Sequence, residues 1–161
     1  MAVVITGIKD LNKLFEQRMS LALKQTQKIV GDCIQESINE YYKERVFRDG
    51  KSNIPVIYER TYRLLNSLIK TDVVYSGNVI SCEVKISDDY LNYKYPGTDG
   101  WNGVSATGRD VLEWNEADGS HGGTVDGDWK IWTQAMNTLG GDAGIMAIFT
   151  DKLRKCGIPI K

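Results

Sequence analysis

Few residues in this chain have the types and spacing that catalysis needs. His121 is the only histidine among 161 residues, and it lies in the glycine-rich segment Ser120-His121-Gly122-Gly123. A catalytic triad needs a histidine that a carboxylate holds rigidly. We therefore expect a solvated loop histidine here, and a metal site built from several histidines is excluded.

Acidic residues between positions 99 and 128 leave more than one interpretation open. The Asp-Gly pairs that begin at Asp99, Asp118 and Asp126 are typical of turns and also resemble parts of calcium loops, which need about six to eight oxygen ligands. A two-metal nuclease or a glycosidase pair could use the carboxylates Glu113, Glu116, Asp118, Asp126 and Asp128. Carboxylates in a polar loop usually serve solvation, so we expect no catalytic residue, no cofactor and no metal site. A metal-dependent hydrolase or nuclease is the alternative from another class.

The overall composition argues against several classes of protein. The formal net charge is −1 and the pI is about 5.9, which does not favour nucleic-acid binding. Three widely spaced cysteines, Cys33, Cys82 and Cys156, do not form a disulfide framework. The N-terminus lacks the features of a signal peptide, and no apolar run approaches the ~20 residues that span a bilayer. We expect a non-enzymatic protein made in a cytoplasm, without membrane contact.

The elements that would position these residues predict a single α+β domain over 1–161. Apolar residues recur every three or four positions from Ile8 to Tyr41, which predicts a helix over 8–47. Such a helix would be roughly 60 Å long, longer than a compact domain of this size needs. We expect it either to find partners in other subunits or to bend near Gly31.

The middle of the chain predicts a short helix and a β-hairpin. Leu64, Leu65 and Leu68 have helical spacing, so a helix over 60–70 is expected, with Arg63 and Ser67 on one of its faces. Residues 72–75, a turn at 76–78 and residues 79–87 then predict a hairpin. Its buried face should pack under the long helix, and it consists of Val73, Tyr75, Cys82, Val84 and Ile86.

Residues 99–128 are rich in glycine, and we interpret them as an extended loop or assembly arm. Trp101 and Trp114 lie in this segment and Trp129 follows it. Tryptophans in a polar segment indicate contact with another protein, and local packing on the chain's own core is the alternative. The candidate assembly interface is therefore Arg63, Trp101, Trp114 and Trp129.

Two helices are expected at the C-terminal end. The first covers 128–137, and Gly140-Gly141 ends it. Asp142 should cap the second, whose apolar stripe is Ile145, Ile148/Phe149 and Leu153. Gly157 and Pro159 should end that helix.

The order of several short motifs resembles a known family. Thr61-x-Arg63-Leu64-x-x-Ser67-Leu68, preceded by the loop that contains Pro55, is similar to an element of the neck and tail-completion proteins of long-tailed bacteriophages, including the lambdoid-type minor tail components. The opening Gly7-Ile8-Lys9-Asp10-Leu11 and the tyrosine-rich segment 89–98, which ends in Gly-Thr, match that family in the same order. The chain departs from the family at Arg60-Thr61-Tyr62, where members usually carry Asp-Thr-Gly.

The resemblance implies a structural role in the virion. Such proteins sit in the neck or upper tail, between the head connector and the tail tube, and act as a homo-oligomeric ring. The resemblance implies six copies, contacts with other neck, connector and tail proteins, and passage of DNA through the ring without specific binding. A tail-terminator ring that caps the tube is the alternative in the same context.

Overall fold

The structure, a computed structural model, describes residues 7–41, 63–92, 107–118 and 130–160. Helix α1, Ile8–Tyr41, continues for 34 residues, which at 1.5 Å per residue is about 50 Å. The prediction of a long helix is confirmed up to Tyr41, and positions 42–47 lie outside the described residues. Helix α1 includes Gly31, where an added Cβ would overlap the side chain of Lys70, which crosses the helix there to reach Asp32.

Four short strands form one interrupted hairpin. They are β1 (Leu68–Lys70), β2 (Val74–Ser76), β3 (Val79–Ser81) and β4 (Val84–Ile86). β1 pairs antiparallel with β4, and β2 pairs antiparallel with β3. The turn between β2 and β3 contains Gly77 at φ 58°, a left-handed conformation that favours glycine. The predicted hairpin and its turn are confirmed, together with the α+β class.

A one-residue irregularity divides the hairpin into its two pairs of strands. Lys70 is paired with Val84, and Val74 is paired with Ser81. Between these two pairings, one strand has three residues (71–73) and the other has two (82–83). An extra residue on one strand is the mark of a β-bulge. Because side chains alternate along a strand, the extra residue lets Lys70 and Tyr75, five positions apart, both face α1.

The predicted buried face of the hairpin is largely confirmed. Val84 and Ile86 are half-buried and pack against the core, and the Cys82 thiol lies 3.9 Å from the carbonyl oxygen of Leu23 on α1. Val73 is half-buried, but Tyr75 is exposed. Tyr75 was therefore wrongly assigned to the core: its hydroxyl hydrogen-bonds Ser20 on α1 while its ring remains in contact with solvent.

The predicted helix over 60–70 is wrong for the part that the structure describes. Residues Leu64–Asn66 form a single 3₁₀ turn, and Leu68 already pairs with Ile86 in the sheet. The leucines fit a helical spacing, but pairing with a strand that lies far along the chain overrides this local preference. Ser67, between the turn and β1, is fully buried, and its hydroxyl donates to the Leu64 carbonyl at 2.7 Å.

Helices complete the fold. They are α2 (Asp88–Leu91), α3 (Gly108–Asp118), α4 (Ile131–Leu139) and α5 (Gly141–Lys155). Gly140, at φ 79°, ends α4 and also precedes the first residue of α5. The predicted break at Gly140-Gly141 is confirmed. The prediction that Asp142 caps α5 is wrong. Asp142 lies in the first turn of the helix, where a negative charge interacts favourably with the helix dipole.

Two apolar clusters hold α1 to the rest of the chain. Near its C-terminal end, Ile34 and Ile38 pack with buried residues of the 3₁₀ turn, α2 and α4. Nearer its N-terminal end, Ala22 packs with Leu153 and Ile158. Because α4 contacts the first region and the end of α5 contacts the second, α4 and α5 together run back along α1.

The end of α5 is fixed to α1 by a glycine-terminated cap. Gly157 has φ 80°, its amide donates to the carbonyl oxygen of Arg154 at 2.9 Å, and the amide of Ile158 donates to that of Leu153 at 2.9 Å. This pair of bonds is the Schellman arrangement, which satisfies the last carbonyls of a helix. Arg18 of α1 donates to the Gly157 carbonyl at 2.9 Å. This bond places the end of α5 beside Arg18 on α1.

Candidate assembly surface

The first turns of α1 extend beyond the elements that cover the rest of the helix. On one side, the cap at Gly157 meets α1 at Arg18. On the other side, Tyr75 of the hairpin meets α1 at Ser20, and its hydroxyl lies 3.5 Å from the Glu16 carbonyl. From Gly7 to Lys13 each residue is exposed. The start of α1 therefore projects about two helical turns from the body of the domain.

This projecting end carries an apolar stripe, which consists of Ile8, Leu11 and Phe15. The three residues are 78%, 51% and 50% exposed, although their spacing places them on one face of the helix. The same face continues through Met19 and Ala22, which pack against the end of α5. The stripe is thus the exposed continuation of a face that α1 partly buries at Met19 and fully buries at Ala22.

The hairpin carries a second uncovered apolar surface, the outer sheet face, formed by Val74 and Val79. Ser76 pairs with Val79, so the alternation of a strand puts Val74, Ser76 and Val79 on one side. That side is opposite to Tyr75, whose hydroxyl reaches α1. Val74 and Val79 are 56% and 61% exposed, so two β-branched side chains that lie diagonally across the strand pair face the solvent.

Of the four predicted interface residues, the structure describes Arg63 and Trp114. Arg63 is exposed and directly precedes the 3₁₀ turn, where its carbonyl accepts a hydrogen bond from the Asn66 amide at 3.2 Å. The prediction that Arg63 and Ser67 share one face of a helix is wrong, because Ser67 follows the 3₁₀ turn and is buried. Trp114 lies on α3 and is 42% exposed. Trp101 and Trp129 lie outside the described residues.

Helix α3 corrects part of the prediction for 99–128. Gly108–Asp118 is helical rather than irregular, and the rest of the segment lies outside the described residues. The helix begins with a reciprocal cap: the Thr107 amide and hydroxyl each donate to Asp110 at 2.7 Å, and the Asp110 amide donates to the Thr107 hydroxyl at 3.2 Å. The bonds to the Asp110 carboxylate lower its pKa, and the bond from the backbone amide has the larger effect. The capping pattern Thr-x-x-Asp was present in the sequence as a signal for this helix.

A carboxylate of α3 positions α4. The amides of Trp132 and Thr133 donate to Glu116 at 2.6 and 3.3 Å, and these are first-turn donors that a helix leaves unpaired. Lys130, directly before the helix, makes no side-chain cap, so Glu116 fills that role from another element. Arg109 on α3 forms an ion pair with Asp88 on α2. Glu116 therefore acts as a structural cap, and sequence reasoning had considered it only as a catalytic or solvating carboxylate.

The described residues do not assemble a metal site. Within the ranges that the structure covers, no three His, Cys, Asp or Glu side chains come together in a group that could hold a metal ion. His121, Asp126 and Asp128 lie outside those ranges. Burial is the main reason why the pKa values of the Cys33 and Cys82 thiols are raised. A raised pKa disfavours the reactive thiolate form. In the described parts of the chain, no helix is long and apolar enough to cross a membrane.

Comparison with known protein families gives a match over most of the chain. The model of the YomN family matches residues 7–155, which include all the described elements from α1 to α5. No curated protein matches the chain, and no solved structure matches it. Since the match covers most of the sequence, the chain belongs to the YomN family, which is a phage-associated family.

Proposed function

We propose that this protein is a structural component of the phage neck or upper tail, where copies of it form a ring that joins the head connector to the tail tube. The phage-associated family supports the virion context. The order of sequence motifs shared with neck and tail-completion proteins supports the specific location. The proposed ring has six copies, contacts other neck, connector and tail proteins, and lets DNA pass without reading its sequence.

The observation that carries the proposal is the apolar stripe on the projecting end of α1. Ile8, Leu11 and Phe15 are at least half exposed, on the face that α1 buries elsewhere. Full burial of one such side chain stabilises a protein by about 1.5–3 kcal/mol. A helix that leaves half or more of each of these three side chains in water gains the corresponding part of this free energy when a partner covers them, as assembly into a virion would provide.

Trp114 supplies a second assembly contact. It is part of the proposed assembly arm over 99–128, and α3 presents it partly exposed near the capped start of α4. Glu116 of the same helix caps α4, so part of the arm also serves folding, whereas the two tryptophans serve assembly. Replacing Trp101 and Trp114 together by alanine therefore blocks joining and leaves the helix–hairpin body folded. Normal joining by that double variant would indicate that the tryptophans only pack locally.

Mass spectrometry of purified particles tests the proposal. The protein should be present in gradient-purified virions at a constant ratio to the tail-tube protein, and it should stay with neck or tail fragments after heads are detached. An abundant cytoplasmic host protein serves as the control for carry-over. If purified particles contain no more of this chain than of the control protein, it is not a virion component.

A further inference from the structure

The stripe and the outer sheet face point in different directions from the same helix. Tyr75 places the hairpin on the side of α1 that carries Glu16 and Ser20. Phe15 precedes Glu16 and is rotated from it by about 100° around the helix. The outer sheet face is directed away from α1 on the hairpin side. The two apolar surfaces thus lie about a third of a turn apart and cannot serve the same contact.

We propose that the stripe of one copy packs on the outer sheet face, Val74 and Val79, of the next copy. This inference rests on the proposed ring and names the contact that would build it. A ring needs two different, mutually complementary surfaces on each subunit, repeated around an axis. A single self-complementary surface would instead stop at a two-fold dimer. Within the described residues, the stripe and the outer sheet face are two separate exposed apolar surfaces.

Charges at the borders of the two surfaces allow them to meet. Lys9 and Glu16, both exposed, lie seven positions apart beside the stripe, on the flank that faces the hairpin side. Glu83 and Lys85 point outward beside the outer sheet face, with 4.0 Å between the Lys85 Nζ and the Glu83 carboxylate. When the two surfaces meet, Lys9 and Glu16 of one copy can pair with Glu83 and Lys85 of the other. The net charge of −1 adds little repulsion between copies.

The size of the contact determines when it forms. Five partly exposed apolar side chains supply only about 500 Å², well below the ~1,200–2,000 Å² of a stable interface. The contact is therefore weak between isolated copies. It becomes effective when a neighbouring ring holds the copies side by side and raises their effective concentration.

Photo-crosslinking of the full chain detects such a weak contact. Leu11 is replaced by benzoylphenylalanine, which keeps the stripe apolar, and the variant is irradiated at about 1 mM in a mixture of light- and heavy-isotope copies. Mixed-isotope adducts identify contacts between copies. We expect these adducts on residues 74–79 of the second copy. Placing the same photo-reactive group at Leu21, which is equally exposed on another face of α1, is the matched control and should give no such adduct.

Several results would overturn the inference. Adducts within one copy would mean that another segment of the same chain covers the stripe, and adducts on the second copy's own stripe would indicate a two-fold contact. The absence of mixed-isotope adducts above the Leu21 control would exclude the contact between copies. Each of these results leaves the virion test unaffected, so the inference and the proposed function fail separately.

Two charged variants then test whether the contact is between unlike surfaces. I8E/F15E alters the stripe and leaves position 11 for the photo-reactive group, and V74E/V79E alters the outer sheet face. Each should reduce mixed-isotope cross-linking about tenfold or more, since a buried glutamate opposes apolar packing. Mixing the two should restore a one-to-one cross-linked pair, because one intact stripe still meets one intact sheet face. Thermal unfolding confirms that both variants fold, and a mixture without the restored pair would contradict the inference.

Discussion

Gln27 joins the long helix to both strands of the hairpin, and its replacement gives the sharpest test of the fold. Its side-chain amide donates to the carbonyl oxygens of Thr71 and Glu83, both at 2.8 Å. These two residues also bond each other: the Thr71 amide donates to the Glu83 carbonyl at 3.0 Å, and the Glu83 amide donates to the Thr71 hydroxyl at 2.8 Å. One glutamine thus holds the hairpin at the irregular point between its two pairs of strands.

The expected cost of Gln27→Ala follows from these bonds. A net hydrogen bond contributes about 0.5–1.5 kcal/mol. The bond to Glu83 is exposed, so water partly replaces it. We expect a loss of about 1–2 kcal/mol, which for a chain of this size lowers Tm by roughly 3–6 °C. Urea unfolding followed by circular dichroism measures it. The exposed Gln25, replaced by alanine, is the matched control, because it gains the same helix propensity.

Gln27→Glu separates hydrogen bonding from packing. It keeps the size of the side chain but sets a carboxylate against two carbonyl oxygens, so it should destabilise more than alanine at neutral pH. The unfavourable contact raises the folded-state pKa of the introduced carboxyl. Stability should therefore recover as pH falls through that raised pKa, since the protonated form can again donate one bond. Equal stabilities for the Ala and Glu variants, both matching Gln25→Ala, would refute the role assigned to Gln27.

Three glycine replacements test other close contacts. Gly144→Ala should destabilise by about 1–3 kcal/mol, because its Cβ would overlap the backbone carbonyl of Leu139; a stabilised variant in chemical unfolding would contradict this tight corner. Gly157→Ala should cost about 1 kcal/mol, since φ 80° is unfavourable for alanine; an unchanged Tm would argue against the cap. Gly31→Ala should be neutral or stabilise by up to ~1 kcal/mol, because only the flexible end of Lys70 must move; a loss above ~1 kcal/mol would show that the crossing of Lys70 over α1 is rigid.

Local patterns in the sequence were enough to predict several elements. The apolar period of three or four residues identified α1, and the β-branched runs around Gly77 identified the hairpin. The alternation of Cys82, Val84 and Ile86 correctly predicted which side of that hairpin meets the helix. In each case the residues that form the element are neighbours in the sequence, so their period directly reflects the structure.

The features that were missed depend on contacts between distant parts of the chain. Leu68 joins a strand because Ile86 pairs with it, and the extra residue at 71–73 is visible only once both pairings are known. Glu116 caps a helix that begins 15 positions later, at Ile131. The outer sheet face was missed for the same reason, since exposed valines become apparent only when the sheet and its covered side are known.

The phenotype of a phage that lacks this gene tests the central claim most directly. Electron microscopy of the lysate should show DNA-filled heads and separate tails of normal length, and supplying the wild-type protein in trans should restore complete particles. Tails of abnormal or variable length would indicate the terminator role instead. Complete, infectious particles in the absence of the protein would contradict the proposed function.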